Sequence, residues 1–175
     1  MGRILLWLLL LAAIVGGGAY AFRAEIALAL MQRTIEANFA AEPLADLPEG
    51  LHVALCGAGS PMPDASRSGP CVAIVAGKRL VVIDTGSGAA RMLSRMRLPP
   101  AQVERILLTH FHSDHIDGLG ELMLQRWAGG AQQAPVPVYG PEGVQGVVDG
   151  FNAAYAQDKG YRVAHHGPAV VPPTG

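Results

Sequence analysis

The segment "THFHSDHIDG", residues 109–118, contains three of the six histidines of the chain and two aspartates. The apolar run "RILL" stands directly before it and predicts a buried strand that ends in a loop. Alternate residues of an extended chain point to the same side, so His110 and His112, about 7 Å apart at the backbone, can face one cation. Asp114 and His115 follow where the chain turns into the next predicted helix. Imidazole and carboxylate together suit zinc, and iron or manganese suit these ligand types less well.

The elements that must position this cluster predict an α/β fold. Short apolar runs between turn residues predict strands at "LHVALC", "CVAIVA", "RLVVID", "VERILLTH" and "VPVYG". Helical spacing of apolar residues predicts helices at "AARMLSRM", "GLGELMLQRWA" and "PEGVQGVVDGFNAAYA". Strands come first, and strands and helices then alternate. This order is typical of a mixed sheet covered by helices.

The N-terminal region has the composition of a membrane-directed segment. The run "ILLWLLLLAAIVGGGAYAF" carries no charge between Arg3 and Arg23. It predicts either a helix that spans about 30 Å of hydrocarbon or a secretory signal cleaved after Ala21, where a small-x-small site ends. The length of the run and the amphipathic stretch after it favour the uncleaved anchor. In both interpretations the soluble domain is exported, to the periplasm or outside the cell, and it is secreted if the leader is cleaved.

These observations divide the chain into three parts. We predict a membrane anchor or signal segment at 1–22, a juxtamembrane helix and linker at 23–49, and a folded domain at 50–175. The formal net charge is −1, and no block of lysine or arginine occurs. The charge therefore predicts that nucleic acid is not a partner. Nothing in the sequence indicates an oligomeric state.

The two cysteines, Cys56 and Cys71, flank the segment "GAGSPMPDASRSGP". An oxidising compartment would permit them to form a disulfide. The alternative, which we favour, is that each is a small buried hydrophobic residue on a strand. The spacing of the two cysteines does not decide between these interpretations.

Three stretches resemble a known family. "HFHSDH" matches the HxHxDH signature of the metallo-β-lactamase superfamily, and Thr109 and Ser113 resemble its ribonuclease Z and arylsulfatase-like branch. "LCGAGSPMPDASRSGPC" is similar to the Gly-rich N-terminal segment of that branch, and "VVIDTGSG" to its strand-end aspartate motif. The resemblance covers Leu51 to about Tyr155. It implies an αββα sandwich, of which this chain contains only the N-terminal half.

The resemblance also implies a role for each polar residue of the cluster. His110 and His112 would bind the first of two zinc ions, and Asp114 and His115 the second. Asp114 would be catalytic, because it would orient the hydroxide that the metal generates. Asp84 would hold the ligand loop by hydrogen bonds, although an ordinary strand-end turn residue is the alternative for it.

The function implied is a zinc-dependent hydrolase. Its metal-activated hydroxide would attack an ester, a sulfate ester or a phosphodiester of a small molecule. The family takes its remaining ligands from a C-terminal half, and His165 and His166 are the only later histidines here. They are expected in a loop, where they line the substrate entrance or are solvated. We therefore expect this chain to be part of a longer hydrolase, and the alternative is a metal-binding but inactive remnant.

Overall fold

The computed structural model describes residues 2–40, 44, 46–62 and 64–175, with only the backbone described at 35–40. The chain divides into two compact units, Met1–Glu42 and Pro43–Gly175. Each unit is described by itself. Part of the predicted linker, residues 41–43 and 45, lies outside the described residues.

The first unit consists of two helices, α1 (Gly2–Ala21) and α2 (Arg23–Ala40). Helix α1 has no buried residue, and it is long and apolar enough to cross a membrane, with a mean hydropathy of 2.2. A signal sequence near the N-terminus would meet the same criteria of length and composition. Arg23 begins α2, and it donates a hydrogen bond to the Tyr20 carbonyl at 2.9 Å. The apolar helix is therefore present, and its role as an anchor or a signal stays a prediction.

The second unit is built on one five-stranded sheet among the described residues. The strands lie in sequence order, the first three antiparallel and the last three parallel. This arrangement confirms the predicted mixed α/β class. The strands are β1 (Leu51–Gly57), β2 (Cys71–Ala76), β3 (Arg79–Ile83), β4 (Val103–Leu107) and β5 (Val138–Tyr139).

Helices cover one face of this sheet. They are α3 (Ala89–Arg95), α4 (Ser113–Ile116), α5 (Leu119–Gly130) and α6 (Val144–His166). Leu80, Val82 and Ile106 of the sheet pack with Leu93 of α3 and Leu122 of α5 in the buried core. On β1, apolar residues of the opposite face are exposed, namely Leu51, Val53 and Leu55.

The prediction that His165 and His166 lie in a loop is wrong. Both histidines belong to the last turn of α6, which continues well past the stretch predicted to be helical. No proline interrupts the sequence between Pro141 and Pro168, so the helix can continue. The pair of Arg162 with Asp158 one turn earlier, with Nε and Oδ2 2.7 Å apart, adds about 0.2–0.5 kcal/mol. The helix ends at Gly167, whose φ of 78° is readily adopted by glycine.

The favoured interpretation of the cysteines as separate buried residues is also wrong. Cys56 and Cys71 form a disulfide, with their Cα atoms 5.0 Å apart. The register of β1 against β2 is irregular between Leu55 and Gly57, so that Gly57 rather than Cys56 pairs with Cys71. Both cysteines are 1% exposed, so the bridge is buried between adjacent antiparallel strands.

Candidate metal centre

The polar residues of the centre lie at the carboxyl ends of β3 and β4. The two strands run parallel and are hydrogen-bonded neighbours, so their carboxyl ends meet at one edge of the sheet. Asp84 follows β3, and its N–H donates to the Leu107 carbonyl at the end of β4, at 2.8 Å. Residues 109–112 continue from β4 and lead into the short helix α4. The topology therefore brings Asp84 next to the ligand loop.

Asp84 is a buried carboxylate with a full set of hydrogen bonds. Its Oδ1 accepts from the Thr109 N–H at 2.8 Å, and the Thr109 hydroxyl donates to the same carboxylate, 2.8 Å from Oδ2. The Oδ2 atom also accepts from Nδ1 of His115, at 2.8 Å. Its φ of 56° lies in the left-handed region, which aspartate tolerates better than most side chains. The resemblance implied hydrogen bonds between Asp84 and the loop that contains the histidines, without naming the partners, and the role of Asp84 at a metal stays a prediction.

His115 is hydrogen-bonded to one carboxylate, that of Asp84, and its other ring nitrogen faces a second, that of Asp114. Since Asp84 accepts at Nδ1, we assign the ring proton to that nitrogen, which leaves a lone pair on Nε2. The Nε2 atom lies 3.7 Å from Oδ2 of Asp114. Both side chains are largely buried, with 20% and 12% of the side chain exposed for His115 and Asp114.

His110 and His112 form the second pair of candidate metal ligands. Nε2 of His110 lies 3.0 Å from Nδ1 of His112. The other nitrogen of His110, Nδ1, lies 3.0 Å from the Thr109 hydroxyl, whose proton points to Asp84. Nδ1 of His110 therefore donates to that hydroxyl, and its Nε2 keeps a lone pair. Thr109 thus links His110 to Asp84, whereas His115 contacts Asp84 directly, and the position of Thr109 between strand and histidine could have indicated this role.

The donor types and distances fit zinc, whereas the number of donors does not complete a site. Two nitrogens bound to one tetrahedral zinc, each at about 2.0–2.1 Å, lie roughly 3.3 Å apart. The separations of 3.0 Å and 3.7 Å in the two pairs are close to that value. Among the described residues, however, no group of three or more His, Cys, Asp or Glu side chains is arranged to hold a metal ion. A catalytic zinc normally has three protein ligands.

A cavity of about 480 Å³ opens beside Asp114. One wall belongs to the loop between β1 and β2 and the other to the residues around α4. Its polar lining comprises Ser60, Asp64, Arg67, Ser87, Ser113, Asp114 and Asp117. The Arg67 guanidinium is mostly exposed and lies 3.6 Å from Asp64. Hydrogen bonds from the hydroxyl and the N–H of Ser66 hold the pKa of Asp64 below its usual range.

Three glycines allow the chain segments around the centre to approach closely. A Cβ at Gly86 would collide with the Asp114 carbonyl and with the backbone of Gly69. A Cβ at Gly118 would lie 2.9 Å from the Thr85 carbonyl oxygen. The sequence alone did not indicate this role for these glycines. The glycine two residues after Asp84, in "DTGSG", is the signal that could have indicated a close backbone contact.

His165 and His166 are exposed, and their ring centroids lie 4.7 Å apart. Within the described part of the chain, no hydrogen bond or ion pair connects either of them to the histidine cluster. Their place at the substrate entrance stays a prediction.

Comparison with known proteins agrees with this arrangement. The sequence model of the metallo-beta-lactamase superfamily matches residues 66–171, so the chain belongs to that superfamily. Ribonuclease Z of Mycolicibacterium gilvum (strain PYR-GCK) is 38% identical over 125 residues, which are 70% of this chain and 44% of the relative. Ribonuclease Z of Mycobacterium bovis (strain BCG / Pasteur 1173P2) is also 38% identical, over 45% of its length.

A solved structure is similar as well. The short form of human tRNase Z superposes with a TM-score of 0.52 at 25% identity, covering 61% of this chain and 39% of that one. The chain spans less than half the length of these curated and solved relatives.

The relatives overturn one expectation. The prediction that nucleic acid is not a partner is wrong, because the similar proteins are named ribonuclease Z and tRNase Z. The physical reason is that net charge averages over the whole surface. A nuclease can recognise phosphate with a metal and a few local donors, without a lysine or arginine block.

Proposed function

We propose that this chain carries the metal-binding loop of a hydrolase that cleaves phosphodiester bonds, with RNA as the first substrate class to test. One observation carries the proposal. Asp84 holds His115 through Nδ1 and leaves Nε2 free, 3.7 Å from the Asp114 carboxylate. This is the arrangement in which metal-ligating histidines are oriented by a carboxylate. Because the similar proteins are named ribonuclease Z and tRNase Z, we propose phosphodiesters rather than sulfate esters or other esters as the substrate class.

His110, His112, Asp114 and His115 would hold zinc, which when bound lowers the pKa of a water molecule and polarises a phosphoryl oxygen. The chain's own residues prepare for this chemistry. Asp84 keeps a proton on Nδ1 of His115, and Thr109 does the same for His110. Asp114 lines the cavity, where its carboxylate can accept a hydrogen bond from an attacking water.

The net negative charge of the cavity suits an anionic substrate only when a cation is present, either bound to the substrate or held by the protein. Three aspartates line the cavity, at positions 64, 114 and 117, against one arginine, Arg67. A phosphodiester would be repelled by these carboxylates unless a metal neutralised them. Arg67 is free to turn toward a phosphate oxygen, because it is 64% exposed and its contact with Asp64 is long. The proposal therefore predicts activity that depends strictly on metal.

The test uses the full chain in detergent with bis(p-nitrophenyl) phosphate, p-nitrophenyl sulfate and an RNA. Because two protein donors per zinc do not complete a catalytic site, we expect slow phosphodiester hydrolysis that chelator abolishes and added zinc restores. Asp114→Asn should lower the rate at least about a hundredfold. Asp149→Asn changes the same residue type on the exposed side of α6 and is the matched control. Cleavage of the sulfate ester alone contradicts the substrate class, and zinc binding without hydrolysis favours the inactive alternative.

We also propose that α1 anchors the chain and that the second unit is exported. Two independent observations support this location. Helix α1 is long and apolar enough to cross a membrane. Cys56 and Cys71 form a disulfide, which persists in oxidising compartments and is rare in the cytosol.

Fractionation of a tagged chain tests the location. We expect the chain in membranes, and Leu8→Lys together with Leu9→Lys should release it, because each lysine costs about 2.5–3.5 kcal/mol at the centre of a spanning helix. Leu28→Lys on α2 is the control, since that residue is exposed outside α1. Recovery of the unchanged chain from the cytosol with its leader intact contradicts the proposal. N-terminal sequencing distinguishes an anchor from a signal cleaved after Ala21.

A further inference from the structure

The disulfide closes the loop that forms one wall of the cavity. Cys56 lies near the end of β1 and Cys71 begins β2, so the bridge joins the two ends of residues 57–70. Both cysteines are 1% exposed. Ser60, Asp64 and Arg67 of this loop line the cavity next to Asp114.

Backbone hydrogen bonds connect the end of this loop, through the segment 85–87, to the short helix α4. The Gly69 N–H donates to the Ser87 carbonyl at 3.0 Å, and the Gly86 N–H donates to the Pro70 carbonyl at 2.9 Å. From the same segment, the Thr85 N–H donates to the His115 carbonyl at 2.8 Å. The segment 85–87 therefore lies between the loop and α4, bonded to both.

The close approach of these segments depends on the position of Pro70 and Gly69. No side chain separates Gly86 from Gly69 or from the Asp114 carbonyl, because a Cβ at Gly86 would collide with both. The disulfide is attached one residue after Pro70. Opening the bridge frees the start of the loop, at Cys56, from its end, at Cys71, and leaves the end attached to the segment 85–87 only by the backbone hydrogen bonds of Gly69 and Pro70. His115 keeps its separate bond to Asp84.

We propose that the Cys56–Cys71 disulfide is a positioning element of the substrate cavity, in addition to its effect on stability. It closes the base of the loop 57–70, whose end is hydrogen-bonded to the segment 85–87, and thereby limits the distance between the loop residues that line the cavity and Asp114. This inference rests on the proposed function for its kinetic consequence. Opening the bridge should raise KM for the phosphodiester on the order of tenfold, because misplaced binding groups cost affinity. The value of kcat should stay within about twofold, because Asp84 orients His115 independently of the loop.

The kinetic experiment compares the full chain before and after treatment with tris(2-carboxyethyl)phosphine. The phosphine takes oxygen from water and becomes its oxide, while Cys56 and Cys71 become two thiols. The variant Cys56→Ala with Cys71→Ala removes the bridge without reductant, and small apolar side chains suit the buried positions. We expect the same rise in KM in both, and no response of the variant to the phosphine. An unchanged KM in the opened forms overturns the positioning role.

Hydrogen exchange supplies a readout that needs no hydrolysis. The amides of Gly69 and Gly86 bridge the loop and the segment 85–87, whereas those of Ile106 and Leu122 lie in the core. Opening the bridge should speed exchange on the order of tenfold at the first pair and leave the second unchanged. A merely stabilising disulfide would speed all four together, which overturns the proposal. If opening the bridge speeds exchange only at Gly69 and Gly86, but the chain never hydrolyses a phosphodiester, the proposed function is contradicted and the positioning role is supported.

Discussion

The substitution Asp84→Asn tests the hydrogen-bond network most directly, because it keeps the shape of the side chain and removes its charge. The Thr109 N–H needs an acceptor, so the amide oxygen of the new side chain must occupy the place of Oδ1. The amide NH₂ then faces Nδ1 of His115. That nitrogen must accept instead of donating, and the ring proton moves to Nε2.

Two effects of different size follow from this change. The hydrogen bonds that end on a charged carboxylate contribute about 1.5–3 kcal/mol each, and the variant keeps a weaker, neutral set. We expect the free energy of unfolding to fall by about 1.5–3 kcal/mol. The change in tautomer places a proton on the nitrogen that faces Asp114. Zinc affinity should therefore fall about 10- to 100-fold, as it does when a carboxylate behind a ligating histidine is removed.

Nitrogen NMR of the His115 ring gives the tautomer without any metal. We expect the proton on Nδ1 in the unchanged chain and on Nε2 in the variant. Urea unfolding and zinc titration then give the two magnitudes, with Asp149→Asn as the control that loses the same charge at an exposed site. If Nδ1 keeps its proton in the variant, or if zinc affinity falls equally in the control, the reasoning about Asp84 is refuted.

Two further predictions concern the surroundings of the centre. Gly86→Ala should abolish most zinc affinity, because its Cβ would collide with the Asp114 carbonyl. Gly146→Ala on α6 is the control and should stabilise the chain by about 0.5–1 kcal/mol. Urea unfolding and zinc titration of both variants test this, and equal zinc affinity in the two variants contradicts it. Ser66→Ala removes the largest cause of the lowered pKa of Asp64, so that carboxyl should titrate closer to its usual value. Carbon NMR titration measures the shift, and an unchanged Asp64 pKa refutes the assignment.

The strands were predictable because their apolar residues are local. "CVAIVA" is bounded by turn residues, and β2 spans the same six residues, Cys71–Ala76. The end of α6 was not predictable in this way, since the absence of an apolar run before His165 suggested a loop. The pair Asp158–Arg162 stabilises the helix there without any apolar pattern.

The candidate site was predictable in part. The spacing of His110 and His112 placed two nitrogens together, and the resemblance implied that Asp84 holds the loop 109–115 by hydrogen bonds, without naming His115 as its partner. The disulfide was not predictable, because the apolar surroundings of a cysteine do not show whether it is bonded to another cysteine. The irregular register of β1 against β2, which brings Cys56 and Cys71 together, is set by tertiary pairing. The exclusion of nucleic acid failed because net charge says nothing about the local arrangement of charges.

The topology of the sheet also limits the order in which the molecule can fold. β2 and β3 are joined by a tight turn at Gly77 and can pair within microseconds, as local hairpins do. The parallel pair β3–β4 must wait for the crossover through α3, which closes a longer loop. Asp84 and Thr109 stand at the ends of those two strands and meet only when this pair has formed. The histidines therefore gain their orientation late, and a metal offered during refolding should bind in the slow kinetic phase and not in the fast one.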